Sequence, residues 1–188
     1  MKNTTKKIKM NSGMTYVELI VVLSIFAIMS GVSLMEYNSF QAKVQIKSLA
    51  TDIALQIVQA QKDAMSGKQQ AGAFITKPSY GVYFNTVATP NTITYFADMH
   101  NEGSYTGYAM DILPILTTSK GNIISELKTS SNSSCPNLAI IFKRPNSGAL
   151  FACNGVLAAA NDASIVVQSP KGDTATIKVD VSGRIQVN

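Results

Sequence analysis

MTYVELIVVLSIFAIMSGVSLM, residues 14–35, decides how the rest of the chain must be read. The stretch carries one charge, Glu18. At about 1.5 Å per residue a helix of this length spans roughly 33 Å, enough to cross a bilayer. The preceding residues 1–13, MKNTTKKIKMNSG, are short, polar and basic. Lysines on that side keep the N-terminus in the cytoplasm and send the rest of the chain outward, giving a single-pass membrane protein. The formal charge of +5 is largely this segment's. Four of the 16 Lys and Arg (Lys2, Lys6, Lys7 and Lys9) precede the apolar run, and without them the side-chain charge is 5 − 4 = +1. The basic balance therefore points to targeting before it points to nucleic acid.

Three readings fit an apolar N-terminal segment. A cleaved secretory signal needs a shorter run ending in small residues; Ser30-Gly31-Val32-Ser33 supplies them, but the apolar run continues beyond. An uncut anchor explains the length and the lysines, not a carboxylate near the start of the run, which is costly in lipid and calls for a partner. In the third, a cut between Gly13 and Met14 creates an ammonium at the head of the helix and makes Glu18 the fifth residue, one turn along. Opposite charges in an apolar medium are tolerable together and costly apart. Glu18 would then pair with its own amine or a neighbour's and give assembly a register.

The lysine-rich leader, Gly13 and Met14-Thr15-Tyr16-Val17-Glu18-Leu19-Ile20-Val21-Val22-Leu23 resemble the processing signal of type IV prepilins and type II secretion pseudopilins. Met14 stands where that family usually has Phe, and Thr-Tyr-Val-Glu replaces Thr-Leu-Ile-Glu. The resemblance implies cleavage after Gly13 by a membrane-embedded prepilin peptidase, methylation of Met14, and assembly through Glu18. The implied partners are the peptidase, other pilin or pseudopilin subunits, an inner-membrane assembly platform and the lipid bilayer. The implied location is the inner membrane, then a filament.

Beyond Glu36 the pattern becomes amphipathic. Phe40, Val44, Leu49, Ile53, Ile57, Ala60 and Ala64 recur at helical spacing, Gly67 is placed to cap, and no proline precedes Pro78. One helix from Met14 to Ser66 is expected, roughly 80 Å long. Its portion 14–35 forms the membrane or filament-core part, and 36–66 is an amphipathic continuation docked on a β-rich domain, 67–188. Candidate strands are Ala73–Ile75, Tyr80–Phe84, Thr92–Ala97, Leu138–Phe142, Ala149–Cys153, Ser164–Gln168, Thr174–Val179 and Arg184–Val187, with hairpin turns at 144–148 and 181–183. The fold class is α+β, a long helix packed on an antiparallel sheet; the resemblance implies the pilin fold. Tyr80-Gly81-Val82-Tyr83-Phe84, Ile93-Thr94-Tyr95-Phe96-Ala97-Asp98, Asn101-Glu102-Gly103-Ser104-Tyr105 and Lys178-Val179-Asp180-Val181-Ser182-Gly183-Arg184-Ile185 are similar to H-type minor pseudopilins and FimT-like minor pilins. Residues 107–134 match no such pattern and read as a surface insertion or an extra helix.

The two cysteines, Cys135 and Cys153, sit in an exported domain and read as one disulfide, with two buried thiols as the alternative. Centring the first hairpin on Asn146 places Cys153 opposite Ala139. No Cys/His cluster, Walker loop or nucleophile elbow is present, so no metal, cofactor or catalytic residue is expected. Asp98-Met99-His100-Asn101-Glu102-Gly103 has acids at the spacing of a Ca²⁺ loop, but His100 occupies the central ligand position; it reads as a polar turn. Lys171, Lys178 and Arg184, with Lys143 and Arg144, are the cations a DNA-binding pilin would use. Asp173 and Asp180 dilute them, and a solvated strand face is the favoured reading.

Overall fold

The computed structural model describes residues 13–69, 77–88, 91–105, 109–111, 116–118, 121–131 and 134–188, apart from the side chains of 34–36, 38, 39 and 109–111. The chain divides into two compact units, Met1–Phe40 and Gln41–Asn188. Helix α1 runs from Tyr16 to Ser66. Among the described residues eleven strands follow: β1 (Ser79–Asn85), β2 (Thr92–Asp98), β3 (Ala109–Asp111), β4 (Leu116–Thr117), β5 (Ile123–Thr129), β6 (Asn137–Phe142), β7 (Ala149–Cys153), β8 (Val156–Ala158), β9 (Asp162–Gln168), β10 (Thr174–Asp180) and β11 (Ile185–Val187). The class is α+β, an apolar N-terminal helix followed by an antiparallel β domain, an arrangement that fits a pilin-like architecture.

Within Gln41–Asn188 the strands form two antiparallel sheets. The larger has the order β3-β2-β1-β6-β7-β8, with β4 also on β2; the smaller is β11-β10-β9-β5. Alternation sends one face of each strand inward. Tyr80, Val82 and Phe84 of β1, Ile93 and Tyr95 of β2, Leu138, Ile140 and Phe142 of β6, and Phe151 of β7 join Ile165, Val167, Ile177 and Val179 of the smaller sheet. They close around Ile46, Ala50, Ile53, Ile57, Ala60 and Ala64 of α1 in one core. Those helical positions step by three and four, a single stripe at 3.6 residues per turn. The stripe differs from expectation at its start. Phe40 and Val44 are exposed and Leu49 is only half-buried, because Ile46 and Ala50, not Val44, continue the face set by Ile53 and Ile57.

The helix stops at a glycine. Gly67 lies at φ +65°, its N–H donates to Ala64 O (3.1 Å), and the Lys68 N–H donates to Asp63 O (3.2 Å). This pair of bonds is the Schellman C-cap, which needs a left-handed residue at Gly67.

Seven of the eight expected strands are present with ends shifted by at most two residues; Ala73–Ile75 lies outside the described residues. Among its described residues the segment 107–134 holds strands and no helix, and it is not wholly a surface insertion. Its residues 123–129 form β5, an edge strand paired with β9 that puts Ile124 and Leu127 into the core. The first hairpin is one residue out of the expected register: Cys153 faces Leu138, and Ala139 faces Ala152. The connecting loop, 143–148, has an even number of residues, so its centre falls between Pro145 and Asn146. This register brings inward Phe142 opposite inward Ala149, and Ile140 opposite Phe151. A slip by one would set an inward residue against an outward one.

Candidate functional site

Gly13 and Met14 are both exposed, and nothing lies within 4 Å of where a Cβ on Gly13 would sit. Thr15 is the N-cap. Its carbonyl accepts the Leu19 N–H (3.1 Å), and its Oγ1 accepts the Glu18 N–H (3.3 Å). Thr15-Tyr16-Val17-Glu18 therefore has the sequence and half the bonding of a capping box, which places Glu18 in the first turn at the positive end of the helix dipole. Sequence reasoning gave Glu18 its assembly role and passed over Thr15. The T-x-x-E spacing was the available signal.

Residues Tyr16–Ser33 form a segment long and apolar enough to cross a membrane, and none of it is buried within the chain. Leu19, Ile20, Val21, Val22, Leu23, Ile25 and Phe26 are all exposed. Two hydroxyls in this stretch are satisfied by the helix itself: Ser24 Oγ donates to Ile20 O (2.8 Å) and Ser33 Oγ to Met29 O (3.0 Å). Such back-bonding leaves neither hydroxyl proton dependent on water. Glu18 is the only charged residue of the segment.

At its far end, α1 is anchored through a buried carboxylate that the sequence reading missed. Asp63 sits between Ala60 and Ala64 on the core-facing stripe. Tyr95 Oη donates to Asp63 Oδ2 (2.7 Å), Lys68 Nζ lies 2.7 Å from the same oxygen, and Gln59 Nε2 donates to Oδ1 (2.7 Å). Tyr80 Oη donates to Lys68 O (2.7 Å). Burial is the main cause that pushes the Tyr95 phenol far above its ordinary range, reinforced by its bond to Asp63 and that carboxylate's charge. Burial, then the Asp63 charge, raises Tyr80 as well. A charge can be held in a core only with this kind of full pairing. An acid interrupting an apolar stripe was the visible clue. Gln61 forms a second latch: its Nε2 donates to Ser147 O (2.9 Å) and Gly183 O (3.1 Å), tying the helix to the β6–β7 loop and the β10–β11 turn.

Cys135 and Cys153 are joined in a disulfide, with 5.5 Å between their Cα atoms. The Cys135 N–H also donates to Leu127 O of β5 (2.9 Å), so the bridge links the end of β7 to a residue hydrogen-bonded to the other sheet.

Lys171, Lys178 and Arg184 are not gathered into one patch. Lys171 lies in the β9–β10 turn, while Lys178 stands near the opposite end of β10. Lys178 Nζ pairs with Asp162 Oδ2 (2.6 Å). Arg184 borders the β10–β11 turn next to Asp180, whose N–H donates to Arg184 O (2.9 Å). The Asp180 carboxyl is held below its usual range, mainly by bonds from Ser182, with Arg184 and Lys178 adding to the effect. Acid thus interleaves with base on this face.

The 98–103 segment is a turn built on Asp98. Its carboxylate is buried and accepts the N–H groups of Gly103 (2.8 Å) and His100 (3.3 Å). Asn101 Oδ1 accepts the Ser79 N–H (2.8 Å). Among the described residues no group of three or more His, Cys, Asp or Glu is arranged to hold a metal.

The chain matches no protein-family model, no curated protein and no solved structure.

Proposed function

We propose that this chain is a non-enzymatic structural subunit, a minor pilin or pseudopilin of a type IV pilus or type II secretion-like filament. It is made as a precursor, cut between Gly13 and Met14 by prepilin peptidase and methylated on Met14. It is held in the inner membrane with its C-terminal domain exported, then moved into a filament on an assembly platform. The observation that carries this reading is one carboxylate, Glu18, at the head of a helical segment, Tyr16–Ser33, that is otherwise free of charge and has no buried residue. An exposed apolar helix must find lipid or other helices, and a lone carboxylate there must find a cation. A new α-amino group at Met14 supplies that cation within one turn.

Intact mass of the membrane-extracted protein tests the reading. A loss of residues 1–13 with the gain of one methyl group is expected. A chain that keeps Met1 points instead to an uncut single-pass protein with an exported β domain, and one that starts well beyond Ser33 points to a secreted domain. DNA contact through Lys171, Lys178 and Arg184 would require strongly salt-dependent binding lost on their replacement by alanine.

A further inference from the structure

Helix α1 carries a second apolar stripe within Gln41–Asn188, on the side turned away from the core; at one edge Ser48 and the flanking Asp52 line a shallow cavity with Leu116, Thr117 and Asn122. Val44, Leu55, Val58 and Met65 are 49%, 60%, 45% and 41% exposed. With Ser48, Thr51 and Lys62 they form the series 44, 48, 51, 55, 58, 62 and 65, which steps by four and three. At 100° per residue this series lies roughly 150° around the helix from the stripe Ile46–Ala64 that enters the core. The spacing is a heptad seam of three repeats. Val44, Thr51, Val58 and Met65 fall at d, and Ser48, Leu55 and Lys62 fall at a. Thr51 Oγ1 donates to Lys47 O (2.8 Å), so its hydroxyl proton is satisfied by the helix itself.

We propose that this seam pairs neighbouring copies of the chain, parallel and in register, while they stand in the membrane. The argument uses only the membrane-anchoring part of the functional reading above; neither cleavage nor filament growth is required. Three observations select the occupant. A seven-residue repeat fits another helix, not a sheet or a lipid surface. Two chains anchored by the same N-terminal segment present their helices parallel. In such a pair the g residue of one helix faces the e residue five positions on in its neighbour. Here g is Lys47 and e is Asp52, both exposed and of opposite sign. Ser48 and Lys62 at a weaken the seam and fix its register. The four aliphatic side chains offer on the order of 300–400 Å² per helix, about half of the ~800 Å² per partner of a stable interface. Pairing therefore depends on the membrane to concentrate and align the copies.

Single cysteines test this in the full chain in native membranes, since Cys135 and Cys153 are buried and bonded to each other. On mild oxidation, Leu55→Cys and Val58→Cys are expected to give at least tenfold more disulfide-linked dimer than Gln186→Cys on β11. Asp52→Lys should lower cross-linking at Val58→Cys several-fold, and adding Lys47→Asp should restore it. No excess over Gln186→Cys overturns the proposal. So does stronger linkage between mixed Leu55→Cys and Met65→Cys copies than within either, which would mean a shifted register. A readout without cysteines is fluorescence energy transfer between labelled full chains reconstituted together in lipid vesicles, which must fall for Leu55→Glu and not for Val187→Glu; an equal response overturns the seam. Carbonate extraction separates the two levels: a chain lost from membranes refutes the anchoring itself, whereas a retained chain without cross-links refutes only the seam.

Discussion

Replacing Tyr95 by Phe removes one oxygen from the buried end of α1 and leaves the ring in place. The phenol is 1% exposed and donates a 2.7 Å bond to Asp63 Oδ2, an oxygen that still has Lys68 Nζ at 2.7 Å once the phenol is gone. Gln59 continues to satisfy the other oxygen. A hydrogen bond to a charged group contributes about 1.5–3 kcal/mol, and with two partners retained the lower half of that range applies, about 2 kcal/mol. For a chain of this size that lowers Tm by about 4–8 °C. The same substitution changes the alkaline limb. Because the folded Tyr95 stays protonated above its ordinary value of 10.0, the unfolded chain loses a proton there that the native chain keeps. Stability contributed by this group is full below pH 10 and falls as pH rises; Tyr95 alone removes about 1 kcal/mol between pH 10 and 11. Thermal and urea unfolding of the full chain in detergent, at pH 7 and across pH 9–11, measures both effects. Tyr95→Phe should be less stable at neutral pH and should lose stability less steeply above pH 10. Wild-type stability at pH 7 together with an unchanged alkaline slope would refute the assignment of Asp63–Tyr95 as a supporting pair.

Glu18→Gln preserves the side chain a capping box accepts and deletes the charge, whereas Glu18→Ala deletes both. Both are expected to stay in the membrane and fail to enter filaments, and normal incorporation of Glu18→Gln would reduce Glu18 to a helix cap. Cys135→Ser opens the bridge to Cys153, at a sequence separation of 18, and should cost about 3 kcal/mol, read as a lower urea midpoint; an unchanged midpoint contradicts the bridge's stabilising role. Gly81→Ala drives a Cβ into the backbone oxygen of Ile140 and the edge of the Phe96 ring, both closer than real Cβ contacts allow. It should lose about 2–3 kcal/mol in the same assay, because backbone cannot move aside as a flexible side chain would. An unchanged midpoint there would show that β1 and β6 can separate.

Most of the architecture was legible because its signals are local. A long uncharged run, helical spacing at Ile53, Ile57, Ala60 and Ala64, a glycine at position 67 and alternating β-formers each act within a few residues. β5 escaped notice for an equally local reason. A register shift between Ile124 and Glu126 brings Ile124 and Leu127 to one face although they are three apart, which erases the period-two pattern. β8 is three residues long and depends on the Asn154–Gly155 turn, where both residues have positive φ; that dipeptide was a hairpin signal in its own right.

The sequence alone determined the exposed apolar helix, its single carboxylate and the α+β class. These depend on composition and period along the chain, and no distant residue is needed to produce them. Only the tertiary structure decided that Cys135 reaches Cys153, that Asp63 holds Tyr95 inside the core, and which side of α1 remains uncovered. Each is a contact between residues far apart in the chain. Its geometry is set when two sheets and a helix close on one another and a polar group must find a partner or stay in water.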